Sequence, residues 1–226
     1  MIKKYRIPIV LMYYLLVMIV LSSLPITANI MNFVARGNVE KAIEYLTMFF
    51  YLSHFILFVA CYLFFREEIK EKGKEFLLNW KKNFKYIVVG FITIIIANVV
   101  IGIFLKQQGS NQEALSSMQE GTKSFMLLCF YLVTVVIGPI NEEFIFRRII
   151  LGEGRKYFST GIALIFSSLL FGLIHVHSIK EIMLVIPYLF TGIVLGFLYY
   201  KSDNIVTSSC LHIVNNLFGV ILLAIV

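Results

Sequence analysis

The stretch Tyr86–Leu105, YIVVGFITIIIANVVIGIFL, holds 20 residues and no charge. A helix of that length rises about 30 Å, the thickness of a bilayer's hydrocarbon core. In lipid, every backbone N–H and C=O must be satisfied within the segment itself, which a helix does. Outward from this run, the pattern recurs at about 7–30, 46–65, 125–150, 160–177, 182–200 and 205–225. The chain is 59% hydrophobic and 15% charged, against roughly 45–50% and 25% for soluble domains. The expected fold is all-α: a polytopic transmembrane helix bundle of about seven spans. No polar stretch is long enough for a second core. One integral membrane domain over 1–226 is expected, with about 125–225 as its motif-bearing part.

The net charge of +7 does not point to nucleic acid, because the basic residues cluster at span ends. With a cytoplasmic N-terminus, the inside segments hold Lys3, Lys4 and Arg6; Arg66 to Lys85; Arg147, Arg148, Arg155 and Lys156; and Lys201. That is 15 of the 20 Lys and Arg, so the positive-inside rule places the N-terminus in the cytoplasm and the C-terminus outside. The run Ile7–Met31 is too long for a signal-peptide core and lacks a small-x-small cleavage pattern. Cys61, Cys129 and Cys210 lie in apolar runs at unrelated spacings and are expected to be free thiols. The segment 66–85 mixes charge with Ile69, Phe76, Leu77, Trp80 and Phe84, which fits either an amphipathic surface helix or a solvated linker. Residues 106–124 are expected to form an external loop. Gly192 and Gly196 form a G-x-x-x-G pair, whose ordinary meaning is close helix packing.

Polar side chains inside apolar spans are costly, and each needs a reason. Within the fourth span, Pro139 removes one ladder hydrogen bond and frees a carbonyl near Val135. Glu142 and Glu143 follow. Adjacent helical residues point about 100° apart, so the two glutamates serve different faces. Glu143 and Arg147 are i,i+4 neighbours able to pair; Glu142 has no partner in its own helix and is expected to face a cavity. In the fifth span Phe171 and His175 share a face, and Gly172 between them lets another backbone approach. In the seventh, His212 and Asn216 share a face while Asn215 points elsewhere. His54 has no companion motif, and His177 is expected at the interface. Singly, each motif has a plain structural reading: a helix end, a packed histidine, helix glue. Together they supply a carboxylate, two imidazoles and an amide. Those groups can activate water and stabilise an oxyanion.

Glu142-Glu143-x-x-x-Arg147, Phe171-x-x-x-His175 and His212-x-x-x-Asn216 resemble the three motifs of the CPBP family. This is the CAAX protease and bacteriocin-processing (Abi) family of intramembrane proteases, which includes the Rce1-type prenyl endopeptidases. The resemblance implies a membrane fold with a cavity open towards one leaflet, and hydrolysis of peptide bonds in a membrane-embedded or lipidated peptide or protein. It implies that Glu142 activates water with His175 assisting, and that His212 and Asn216 hold the oxyanion. Glu143, Arg147 and Phe171 would organise the site. Prenyl-protein members have eight spans rather than seven, which weakens transfer of the prenylated substrate more than of the chemistry.

No cofactor is expected. Zinc is the alternative, since two histidines and a carboxylate resemble a catalytic zinc set; but H-E-x-x-H is lacking, and Asn216 is a better oxyanion donor than zinc ligand. The non-enzymatic alternative is a membrane partner protein in bacteriocin self-immunity or sensor-kinase control. A proton-relaying transporter is disfavoured, because the Pro-interrupted span has no matching broken span. The expected location is a multi-pass bacterial or archaeal-type cell membrane, with lipid and a peptide substrate as partners and no nucleic acid. Counted from span ends, His175 lies roughly 5–15 Å deeper than Glu142 or His212, an offset the fold has to absorb.

Overall fold

The computed structural model describes residues 2–21, 25–105, 124–176 and 178–225. Of the expected loop over 106–124, residues 106–123 lie outside those residues, as does the interfacial His177, and Ser124 is helical. Among the described residues there is no strand. Helix α1 (Ile2–Tyr13) continues as wider π turns to Leu21 and is followed by α2 (Pro25–Val34), α3 (Val39–Leu78) and α4 (Trp80–Phe104). Next come α5 (Phe125–Gly154), α6 (Thr160–Leu173), a 3₁₀ segment (Ile179–Leu184), α7 (Val185–Ser202) and α8 (Ile205–Ile225).

Among the described residues five helices are long and apolar enough to cross a bilayer, six if Tyr5–Leu21 and Pro25–Val34 form one bent span. Helix α6 is the seventh apolar segment, and its 14 residues rise only about 21 Å. The chain is thus a multi-pass, all-helical membrane protein, with the fifth expected span its shortest. Ile92, Ile96, Val99 and Ile103 of α4 are exposed at helical spacing, as a lipid-facing stripe should be. The three cysteines are free thiols.

By packing, the chain divides into two units, Met1–Arg66 and Glu67–Val226. In the first, Arg6 donates to the Phe64 carbonyl (3.2 Å) and lies 4.5 Å over the Phe65 ring, and Tyr13 donates to the Ser53 carbonyl (3.1 Å). His54 spends its Nδ1–H on the Phe50 carbonyl (3.1 Å) and packs on the Phe50 ring, in keeping with its lack of a motif.

The second unit holds all three motifs. Residues 66–85 are helical apart from Asn79: α3 runs unbroken from Val39 to Leu78 and α4 opens at Trp80. Its end is tied down by Lys72, which pairs with Glu75 (2.9 Å) and Asp203 (3.2 Å) and whose carbonyl accepts from Asn204 Nδ2 (2.8 Å).

Helices α6 and α7 touch backbone to backbone, as the G-x-x-x-G pair implies. A Cβ added at Gly192 would lie 3.0 Å from Ser168 Cβ, and one at Gly196 would lie 2.5 Å from Leu164 Cδ1. Without a hydrophobic driving force between helices in lipid, such close van der Waals contact is what associates them. We expect Gly192→Leu to lower unfolding stability in detergent by about 1–3 kcal/mol. Gly161→Leu, at a site with no neighbour within 4 Å, should leave it unchanged. Equal stability of the two variants would contradict the packing.

Candidate active site

The site is organised on α5, which is not a regular helix. It has π turns over Leu132–Ile137, a short α stretch over Gly138–Glu142 and π turns again over Glu143–Leu151. In the first π stretch Gly138 N–H bonds the Val133 carbonyl, five residues back. The next donor in that register would serve the Thr134 carbonyl, but it is Pro139, which has no N–H. Asn216 of α8 fills the gap: its Nδ2 donates to Thr134 O at 3.0 Å. The wider turn therefore moves the freed carbonyl from Val135 to Thr134. It also explains why an amide stands at 216. π turns of this kind recur at functional sites.

Glu142 and Glu143 sit where the α stretch gives way to the second π stretch. Glu143 and Arg147 are fully buried and face each other, with Arg147 Nε 3.4 Å from Glu143 Oε1. This is the expected ion pair. Arg147 is held further by the Gly192 carbonyl (Nη2, 3.3 Å) and by the Phe171 ring, 4.4 Å from its guanidinium carbon. The next residue, Arg148, faces elsewhere and pairs with Glu68 and Glu153.

His212 lies between the two glutamates. Its Nδ1 is 3.0 Å from Glu143 Oε1 and its Nε2 is 3.5 Å from Glu142 Oε2. A carboxylate paired with arginine accepts only, so Nδ1 carries a proton and donates to Glu143. That leaves Nε2 as the nitrogen turned to Glu142. Arg147, Glu143, His212 and Glu142 thus form one chain of polar contacts drawn from α5 and α8. From sequence, Glu143 is expected only to pair with Arg147; its hold on His212 is an added finding. The side chain of Glu142 is 19% exposed, whereas those of Glu143 and His212 are 0% and 3%. Of the two carboxylates, only Glu142 is open to an incoming molecule.

Phe171 is the hub. Its ring meets Phe146 (5.5 Å), His212 (5.6 Å) and His175 (4.8 Å). Phe171, one turn before His175, is the residue that meets His212. His175 lies beyond the end of α6, bonded through Nδ1 to the Phe171 carbonyl (2.8 Å) and stacked on Tyr188 (4.5 Å). The structure thus joins Glu142, Glu143, Arg147, Phe171 and His212 directly. His175 is joined through Phe171. Asn216 lies one turn along α8, bonded to Thr134. No sequence motif marks Thr134, Tyr188 or the Gly192 carbonyl, because a backbone acceptor and a lone tyrosine leave no pattern.

Among the buried polar atoms of the cluster, Glu142 Oε2, Glu143 Oε2, Arg147 Nε and Arg147 Nη1 have no hydrogen-bond partner within the described residues. Buried polar groups are rarely left so. An acceptor and a donor in one cluster suit a small group that both gives and takes hydrogen bonds, as water or a peptide amide does. The donor set suits a metal less well. Among the described residues no three His, Cys, Asp or Glu side chains are grouped to hold one ion, and both nitrogens of His212 already face carboxylates.

Comparison with known proteins points to the same segment. Residues 124–218 match the family model described as type II CAAX prenyl endopeptidase Rce1-like. Among curated relatives, the UPF0177 protein YxdF of Lactococcus lactis is 29% identical over 149 residues, 65% of this chain and 81% of that protein. The membrane-embedded CAAX protease MroQ of Staphylococcus aureus is 26% identical over 165 residues, 68% of this chain and 61% of that protein. No solved structure matches significantly. Residues 124–218 are thus similar to the Rce1-like family of type II CAAX prenyl endopeptidases, consistent with the resemblance of the three motifs to the CPBP family.

Proposed function

We propose that the chain is an intramembrane endopeptidase that hydrolyses a peptide bond in a membrane-associated or lipidated peptide, with Glu142 as the base. The observation carrying this reading is the unequal exposure of the two adjacent glutamates around His212. Glu143 is sealed off as an orienting carboxylate, and Glu142 is left open beside His212 Nε2. In this mechanism Glu142 takes a proton from water, with His175 assisting. The water oxygen attacks the scissile carbonyl carbon. The resulting oxyanion accepts hydrogen bonds from Nε2–H of His212, which in this mechanism carries a proton on each ring nitrogen between the two carboxylates, and from the second N–H of the Asn216 amide. Collapse breaks the C–N bond, and Glu142 returns the proton to the leaving amine. Arg147 and Phe171 keep Glu143 and His212 in register. Because the relative MroQ is named a CAAX protease, a peptide ending in a lipidated cysteine and three further residues is the substrate class to try first.

The test is cleavage of such a quenched-fluorescent peptide by the full chain in liposomes. Cleavage by wild type and its loss in Glu142→Gln support the reading; an intact peptide refutes it for this substrate class. We propose that the mechanism needs no metal. Activity should survive exhaustive chelation unchanged. Stoichiometric zinc in active protein, with loss on chelation and recovery on zinc addition, would replace Glu142-only catalysis by a metal-assisted one.

A further inference from the structure

Glu142, Glu143 and His212 sit within helices that hold them in place. His175 does not: α6 ends at Leu173, and the imidazole lies past its last turn. Some other contact has to fix its ring. The Nδ1–H bond to the Phe171 carbonyl (2.8 Å) uses one of the acceptors that a helix end leaves over. Because a carbonyl only accepts, that bond places a proton on Nδ1. The two faces of the ring are covered by aromatic side chains. Phe171 lies at 4.8 Å, tilted by 53°; Tyr188 lies at 4.5 Å, within 18° of parallel.

Tyr188 reaches His175 because Gly172 has no side chain. A Cβ at 172 would lie 3.1 Å from the Val185 carbonyl oxygen and 3.2 Å from the Leu189 nitrogen. The glycine lets the first turns of α7 lie directly on the end of α6, and those turns carry Tyr188. The approach expected at Gly172 from sequence is therefore made, and it brings an aromatic ring to the one motif histidine that no helix holds.

We propose that Tyr188 is a positioning residue for His175, its ring clamping the imidazole so that Nε2 keeps one bearing during turnover. This rests on the peptidase reading, so the test carries one arm that needs no cleavage. The full chain is placed in nanodiscs with isotope-labelled histidine, the His175 resonance being assigned by its loss in His175→Gln. The activity arm uses the lipidated quenched-fluorescent peptide.

Tyr188→Leu should lower kcat about 3- to 10-fold with KM little changed, and should move the His175 ring-proton resonance downfield as the stacked ring is removed. Tyr188→Phe keeps the ring and should restore both. Should Tyr188→Leu fail to fold, Gly172→Ala is the second route: it forces α7 away by a few tenths of an ångström and should shift the same resonance in the same direction. An unmoved His175 resonance, or a Tyr188→Phe variant that behaves like Tyr188→Leu, overturns the clamp. If wild type cleaves nothing, the peptidase reading is what fails, and the resonance still decides whether Tyr188 holds His175.

Discussion

Glu142→Gln should reduce peptide cleavage by about 10²–10⁴-fold while leaving the fold intact. The reason is the unequal setting of the two glutamates. Glu142 is partly exposed and faces His212 Nε2 at 3.5 Å, so an uncharged side chain of the same shape disturbs little packing. What the amide cannot do is accept a proton from water. Progress curves in liposomes give the rate, and unfolding curves in detergent give the stability. A variant that unfolds at the wild-type midpoint yet cleaves at the wild-type rate would remove Glu142 from the mechanism. A variant that loses activity only by losing its fold would leave it a structural residue.

Arg147→Met should have the opposite profile, costing about 3–5 kcal/mol of stability. Arg147 and Glu143 are both enclosed, at 1% and 0% side-chain exposure, and only 3.4 Å apart. Removing the cation strands a carboxylate in a low-dielectric interior, and a stranded charge costs far more than an intact pair contributes. The double variant Glu143→Gln, Arg147→Met removes both charges and should recover most of that loss. It should not recover activity, because the neutral amide put in place of Glu143 no longer fixes His212 by a charged acceptor. A single variant as stable as wild type, or a double variant no better than the single, would show that the pair does not carry this load.

The two profiles differ because the sequence spacing has two consequences. The i,i+4 relation of Glu143 and Arg147 is readable, since both residues lie on one helix and the helical repeat alone brings them together. The apolar runs are equally readable, because hydrocarbon thickness sets their length. What spacing cannot show is the partner across the bundle. His212 lies 69 residues from Glu143, and a helical repeat says which face it occupies but not which helix that face meets. Hence the family resemblance assigns His212 a role at the oxyanion, and its place between the two glutamates is seen only in the structure.

The same limit applies to Asn216. Its acceptor, the Thr134 carbonyl, is free only because α5 widens to a π turn there; regular α geometry would have freed the carbonyl of Val135. The His175 clamp depends on α6 stopping at Leu173 and on Gly172 admitting α7, neither of which a motif encodes. The short fifth span follows from the same feature: the chain leaves the helix two residues before His175.

The most direct measurement is mass spectrometry of the lipidated peptide after incubation with the liposome-reconstituted chain in heavy-oxygen water. The account expects one heavy oxygen in the newly formed carboxyl group of the wild-type product, and no product with Glu142→Ala. An intact peptide with wild type, or labelled product from Glu142→Ala at the wild-type rate, would contradict it.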